Sequence, residues 1–591
     1  MSAIDQLPLW DMTPVFPSLN SIEFEESRSA LSTEIDQLEN LFDSIGVFSD
    51  GTGSPDQFDQ VIVGLNQVSD HLRTVTAYVR AHTTTDSRNE VASARNSEMD
   101  RDLSRMRKLS KRFVGWVSNF DLQELLESSE IAKSHEYSLE RAKVAASHLM
   151  GSDEESLVSD MEVTGSHAWT KLHGNVTSQL AVKSVSQDSE PMSMSMARAL
   201  AYSPDRSVRE SAYHAELNAW KTVEVALAGA MNSIKGENLT LCTRRGWQDP
   251  LDEAIFNCSI DRVTLEAMQT AAREAFPDFR RYLKAKAKAI GVSQLAFYDL
   301  FAPLGDDENA WDYESGCQFV IEQFNGYSER MGQFAARAIH ENWIDAGPRV
   351  GKVDGAYCMG IRKDESRILM NFKPSFGAVS TLAHELGHGY HNVCLAGRTA
   401  LQRNLPMTLA ETASIFCETI IRQAVLKNGT DAQKYTVLEG SLQGSCQVVV
   451  DISSRFIFEQ SLFFRRRQRE LSPREMCDLM LQAQLDTYGD GLNSDALHPY
   501  MWAAKPHYYG RSYYNFPYMF GLLFGLGLYD VFVKNPDEFR SMYDDLLSST
   551  GMADAPTLAH RFGLDIRNID FWRGSLNQIR GEIDQFEALV G

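Results

Sequence analysis

The chain of 591 residues has no CxxC pair: its eight cysteines, at positions 242, 258, 317, 358, 394, 417, 446 and 477, are scattered. That spacing excludes a thiolate zinc site and a disulfide framework, and suits reduced, buried thiols. Cations are scarce, with 57 Lys and Arg against 80 Asp and Glu and a formal charge of −23. Nucleic acids and anionic membranes are drawn to basic surfaces, so neither is an expected partner. An acidic exterior accounts for the charge, and an acidic cleft for cationic peptides is the sharper alternative. The opening "MSAIDQLPLWDMTPVFPSL" lacks the basic segment, apolar segment and small-residue cleavage site of a secretory signal, so the expected location is the cytoplasm. Long apolar runs are missing too. The best, "FPYMFGLLFGLGLY" (516–529), is too short for a bilayer of about 30 Å and reads as a buried core helix. No Pro/Gly/Ser-rich linker and no fixed-period repeat separates independent units, so one large body with subregions is expected.

What is present is mostly helical text. "SALSTEIDQLENLFDSIGVF" (29–48), "DLQELLESSEIAKSHEYSLERAKVAASHLM" (121–150) and "SVRESAYHAELNAWKTVEVALAGAMNSIKGENLTL" (207–241) place apolar residues at helical spacing. Residues 151–190 are richer in Ser, Thr and Gly and read as an irregular or partly β segment. Two β-prone runs, "GAYCMGI" (355–361) and "SRILMNF" (366–372), flank the polar "RKDE" and predict a hairpin. The fold class is therefore mainly α with a small β-sheet.

Just after that hairpin stands "STLAHELGHGYH" (380–391). Positions four apart share a helix face, so His384 and His388 can offer two imidazoles to one ion while Glu385 projects beside them. This is HExxH, in which neutral imidazoles suit zinc and the glutamate can take a proton from water activated by the metal. The later glycine and histidine of a metzincin are absent, since the next histidine, His391, follows His388 by three residues. His391 shares the helix face of His384 and His388 and could in principle ligate, but it lies farther along the axis than one small ion reaches comfortably, so a supporting or cleft role is favoured over ligation, with a satisfied core histidine as the plain alternative. The third ligand is expected from a second helix, "MTLAETASIFCETIIRQAVLKNG" (407–429), through Glu411. Two histidines, one glutamate and a place left for water form the open coordination of hydrolytic zinc sites. Glu418, seven residues on, faces the same way and either orients a ligand histidine or is solvated.

Beyond the motif, "WDMTPVFPSL", "TGSHAWTKLHGNVTSQL" (164–180), "IKGENLTLCTRRGW" (234–247), "FYDLFAPLG" (297–305), "TLAHELGHGYH", "LAETASIFCE" and "KPHYYGRSYYNFPYMFG" (505–521) follow one another in a familiar order. Across nearly its whole length the chain resembles the oligoendopeptidase F group of the thimet-oligopeptidase-like zinc peptidases. The resemblance implies an N-terminal helical region over 1–195 and a catalytic region over 196–591, in a large helical ellipsoid with a deep channel and one Zn2+ per chain at its floor. It also implies that short unstructured peptides are cleaved internally and folded proteins are excluded. A histidine and tyrosines that contact substrate and stabilise the oxyanion in the family match His507, Tyr514 and Tyr518. The spacing here departs slightly from the thimet pattern, so Tyr508, Tyr509 and Tyr513 remain competitors, and Tyr508 is taken as a substrate contact.

An extended peptide could add to the edge of the hairpin at Gly355, Ala356 and Tyr357, with His391 in the cleft. Gly355 and Gly360 either permit close backbone approach or are plain turn residues. The expected activity is endopeptidase; a carboxypeptidase with the same ligands and a silent peptide-binding protein are the rivals. The sequence does not fix the oligomeric state.

Overall fold

In the computed structural model, which describes residues 7–47, 51, 53–183, 191–305 and 311–591, helices carry most of the chain. The first six residues of the opening segment thus lie outside the described residues. Five short strands occur among the described residues: β1 (Ala181–Val182), β2 (Met192–Ser193), β3 (Ile344–Asp345), β4 (Tyr357–Arg362) and β5 (Glu365–Leu369). Compactness divides the chain into two interleaved units. Unit 1 is Met1–Leu149, Glu308–Ala424 and Val531–Phe562; unit 2 is Met150–Asp307, Val425–Asp530 and Gly563–Gly591. Neither is a contiguous stretch.

Unit 1 begins with three long helices, Ile22–Ile45, Pro55–Thr85 and Glu90–Val117, whose apolar faces share one core. In the first, Phe24, Leu31, Ile35, Leu38 and Phe42 recur at helical spacing and are all buried. The second starts on a capping box in which the Ser54 hydroxyl accepts the Gln57 N–H and the Gln57 side chain accepts the Ser54 N–H. The expected hairpin is present as β4 and β5, antiparallel, with Tyr357 opposite Leu369 and Cys358 opposite Ile368. β3 pairs with β5 in parallel, an addition that two residues of sequence could not announce.

The order β3-β5-β4 leaves β4 at the edge. The Ile368 and Met370 N–H groups donate to the carbonyls of Trp343 and Asp345, so Arg367 and Leu369 turn their backbone groups toward β4. By alternation, Tyr357 and Met359 answer them, whereas Cys358 and Gly360 present N–H and C=O to the free edge.

Unit 2 corrects one expectation. Residues 151–183 are mainly helical, as Ser152–Glu162 and Ser166–Gln179, with β structure limited to β1 against β2; residues 184–190 lie outside the described residues. These helices bury little of their surface, with Leu157 and Met161 exposed, and polar contacts hold them. Glu154 accepts the Gly151 N–H, Glu237 accepts the Ser166 N–H, and the Thr170 hydroxyl lies 2.6 Å from the Tyr509 carbonyl. The His173 ring, stacked on Tyr509 at 3.9 Å between centroids, also bonds the Ala503 carbonyl at 2.9 Å. The segment therefore braces the turn that carries His507.

The apolar 516–529 stretch belongs to a longer helix, Phe516–Lys534, the one helix among the described residues long and apolar enough to cross a bilayer by length and composition. Its Phe516, Met519, Phe520, Leu523, Phe524, Leu526 and Leu528 are buried by protein, as in a core helix.

Candidate metal centre

The HExxH segment lies in a helix, Phe376–Cys394, capped by Ser375, whose hydroxyl accepts the Ala378 N–H. The second segment is not one continuous helix: Met407–Ala410 ends at Glu411, and Thr412–Asn428 begins after it. Glu411 at this break has φ −89° and ψ 5°, a bridge-region geometry common at functional sites. Its Oε2 lies 3.3 Å from His384 Nε2 and 3.4 Å from His388 Nε2, and accepts the Ser414 hydroxyl at 2.6 Å.

Close approach of the two segments depends on Gly387. A Cβ there would stand 2.7 Å from the Ser414 Cα and 2.8 Å from the Ala413 carbonyl oxygen. Glycine between Glu385 and His388 thus lets the Glu411 segment lie directly on the backbone of the HExxH helix.

The donor set fits a divalent ion. Two donors about 2.05 Å from one tetrahedral ion stand roughly 3.3 Å apart, the spacing found here between the carboxylate and each imidazole. All three donor atoms lie within 4.8 Å of one another. The three side chains retain 22–25% exposure, so the set opens onto a cavity. Glu418, seven residues beyond Glu411, places Oε2 3.3 Å from His384 Nδ1, an arrangement that directs Nε2 toward the shared centre. Burial alone would lower the His384 pKa, but Glu411 and Glu418 outweigh it and raise the ring to about 10. Burial would also raise both glutamates, yet their histidine partners hold them below the usual carboxylate range.

Glu385 is buried. Its carboxylate accepts the Cys358 N–H from the free edge of β4, while Oε2 has no partner among the described residues. Burial dominates its pKa and raises it, against the pull of His384 and His388. An unsatisfied carboxylate oxygen beside three candidate metal donors is suited to accepting a proton from water.

Within unit 1, a cavity of about 780 Å3 brings His384, Glu385, His388 and Glu411 together with Ala356 and Tyr357. The volume falls in the usual range for ligand sites. Tyr357 is anchored sideways, its hydroxyl 2.6 Å from that of Thr84 and its ring beneath Arg80. Gly355, at φ +84° with no atom near its missing Cβ, is a turn residue whose carbonyl accepts the Asn371 amide.

His391 borders the cavity, but its Nε2 is 2.8 Å from the Thr550 hydroxyl, and burial lowers its pKa to about 3. It behaves as the satisfied core histidine, since on the same helix face but a turn beyond His388 its ring is taken up by Thr550. Arg73, Arg80 and Arg403 also line the cavity, so this cleft is not the acidic one that the net charge left open. Sequence reasoning missed these residues; the only signal was Arg73 and Arg80 at a spacing of seven, which equally describes a solvated helix face.

A second constellation lies in unit 2. The rings of His507 and Tyr514 stack at 4.8 Å, and the Tyr518 and Tyr514 hydroxyls are 3.2 Å apart. Burial, assisted by Arg455 and Lys505, lowers the His507 pKa. The preceding turn is unusual: Tyr513 adopts φ +52°, and its N–H donates to Glu459, itself paired with the buried Lys235 at 2.7 Å. Tyr508 and Tyr509 are almost wholly enclosed, and Tyr508 packs on Phe458. A substrate contact for Tyr508 does not fit that burial.

Known proteins match at both levels. The family model for oligopeptidase F covers residues 117–181, and the model for peptidase family M3 covers residues 199–578. The group B oligopeptidase PepB of Streptococcus agalactiae is 23% identical over 100% of this chain and 98% of its own length. Oligopeptidase PepF of Bacillus subtilis is 21% identical over 79% of this chain and 71% of its own. Among solved structures, a Chlamydophila abortus protein described as a peptidase has a TM-score of 0.83 at 17% identity, covering 100% of this chain and 99% of its own. Oligoendopeptidase-F of Enterococcus faecium has a TM-score of 0.70 at 17% identity, covering 96% and 99%. With well over half of its length matched by one family model, the chain belongs to peptidase family M3.

Proposed function

We propose that the chain is a zinc-dependent oligoendopeptidase in which His384, His388 and Glu411 hold one ion per chain. The observation that carries this reading is the carboxylate oxygen of Glu411 poised 3.3 and 3.4 Å from two imidazole nitrogens, beside the orphaned Oε2 of Glu385. Zinc held there supplies Lewis acidity to water and to the scissile carbonyl. Glu385 takes the proton from water and returns it to the departing amine; its raised pKa suits a group that must both accept and donate. Glu418 fixes the tautomer of His384.

The substrate is an extended short peptide laid antiparallel along β4, where the Cys358 carbonyl and the Gly360 N–H face the free edge. Backbone pairing of this kind tolerates varied side chains, as an oligopeptidase requires. His507, Tyr514 and Tyr518 are proposed to contact the peptide and stabilise the oxyanion; their clustered imidazole and phenol hydroxyls are suitable donors. Family membership favours hydrolysis over a silent peptide-binding role.

The test is Glu385→Gln. Turnover of a quenched fluorescent peptide blocked at both ends should fall by about 10²-fold or more while zinc content stays at one per chain. Wild-type-like cleavage by that variant would refute the role of Glu385. Failure of the wild type to cut the blocked peptide would favour an exopeptidase.

A further inference from the structure

Arg73 projects from the helix Pro55–Thr85 to the free edge of β4, where its Nε–H lies 3.4 Å from the Gly360 carbonyl. A Cβ on Gly360 would stand 2.1 Å from a terminal nitrogen of Arg73. The guanidinium therefore fills the space of the side chain that Gly360 lacks. Nearby, Arg403 pairs with Asp70, whereas Arg73 has no carboxylate partner among the described residues. Burial and the Arg403 charge act against its ionised form and outweigh the more distant attraction of Asp70, which pairs with Arg403. A half-buried guanidinium with unanswered donors, on the wall of the cavity that holds the metal donors, is a receptor for an anion.

The strand pattern locates that anion. Residues opposite one another in an antiparallel pair share a sheet face, with Cβ atoms about 4.5–5.5 Å apart. The substrate residue opposite Gly360 would thus direct its side chain to the face that Arg73 occupies. Cys358, whose N–H contacts Glu385, marks the neighbourhood of the scissile bond. In antiparallel pairing, advancing from Cys358 to Gly360 moves two residues toward the N-terminus of the peptide.

We infer that Arg73 forms a specificity subsite for an acidic side chain, Asp or Glu, about two residues upstream of the peptide residue held at Cys358. This rests on the peptidase reading above and on β4 as the docking edge. The terminal carboxylate of a substrate peptide cannot supply the anion there, because the cut bond lies downstream. Arg80, exposed and set over the Tyr357 ring, adds long-range attraction without the cross-strand geometry.

The test is a set of blocked peptides sharing one cleavage site, with Glu or Gln placed in turn at each upstream position. Cut sites are read by mass spectrometry, and kcat/KM is compared within each Glu/Gln pair. Zinc-loaded wild type should favour Glu over Gln by about tenfold at one upstream position, the size expected of a charge-assisted hydrogen bond in a partly buried site. Arg73→Met should bring that ratio toward one, Arg73→Lys should retain part of it, and salt should shrink it in the wild type. Equal rates for Glu and Gln at every upstream position, or a ratio unchanged in Arg73→Met, would overturn the subsite while leaving the peptidase reading intact. Absence of cleavage of every peptide would overturn both. The ratio in the wild type is decisive even if a variant fails to fold.

Discussion

Replacing Gly387 by alanine tests whether the approach of two helical segments sets the ligand spacing. The added Cβ would lie 2.7 Å from the Ser414 Cα, whereas ordinary contact begins at 3.4 Å, so the segments must part by about 0.7 Å. Helix propensity favours alanine by about 1 kcal/mol, and overpacking against rigid backbone costs about 1–3 kcal/mol, so the net loss of stability is modest. The effect on the metal is larger. Ser414 holds Glu411 Oε2 at 2.6 Å, and that oxygen sits 3.3 and 3.4 Å from the two imidazole nitrogens. A displacement of roughly 0.7 Å is a third of a zinc–ligand bond of about 2.05 Å, more than the donor set can absorb. Zinc affinity should therefore fall by about 10–100-fold, as when a supporting partner of a ligand is lost. Competition with a chromophoric chelator measures this, with circular dichroism confirming the fold. Gly387→Ala binding zinc within about twofold of wild type would refute the argument.

Two further outcomes are expected. Glu418→Ala should weaken zinc binding by about 10–100-fold, because His384 loses the acceptor that orients it; unchanged affinity in the same competition assay would make Glu418 a bystander. In unit 2, burial would raise Glu216, but His498 at 3.3 Å, Arg198 and the Trp220 N–H outweigh it and hold the carboxyl at about 2. A folded value below the ordinary one stabilises the native state above the ordinary carboxyl range and ceases to do so as pH falls through it toward 2. Glu216→Gln should therefore be less stable than wild type near pH 7, with the gap closing from about pH 4.5 downward, as read from urea midpoints. A gap independent of pH would show that the charge of Glu216 is not what stabilises the fold.

That His384, His388 and Glu411 come together was legible in the sequence because the logic is local: HExxH on one face, then a carboxylate at the start of a second helical pattern. The hairpin was legible from its β-prone runs. Other features were hidden because they depend on partners distant in sequence. The helices within 152–179 read as irregular, since their Ser, Thr and Gly content gives little apolar periodicity and their anchors, Glu237 and Tyr509, come from elsewhere. The environment of His391 is set by Thr550, which no spacing around HExxH announces. Arg73 looked like one charge on a solvated helix, and only the Cβ-sized gap at Gly360 gives it a place. Tyr508 was indistinguishable in sequence from the tyrosines around it, and burial separates it from Tyr514 and Tyr518.

The central claim is that one ion is gripped by two imidazoles and a carboxylate. X-ray absorption at the zinc edge of the zinc-loaded protein measures it directly. The account predicts four or five nitrogen and oxygen neighbours near 2.0–2.1 Å, with outer-sphere scattering from two imidazole rings that drops to one in His388→Ala. A sulfur neighbour near 2.3 Å, or an imidazole signal unchanged in that variant, would contradict it.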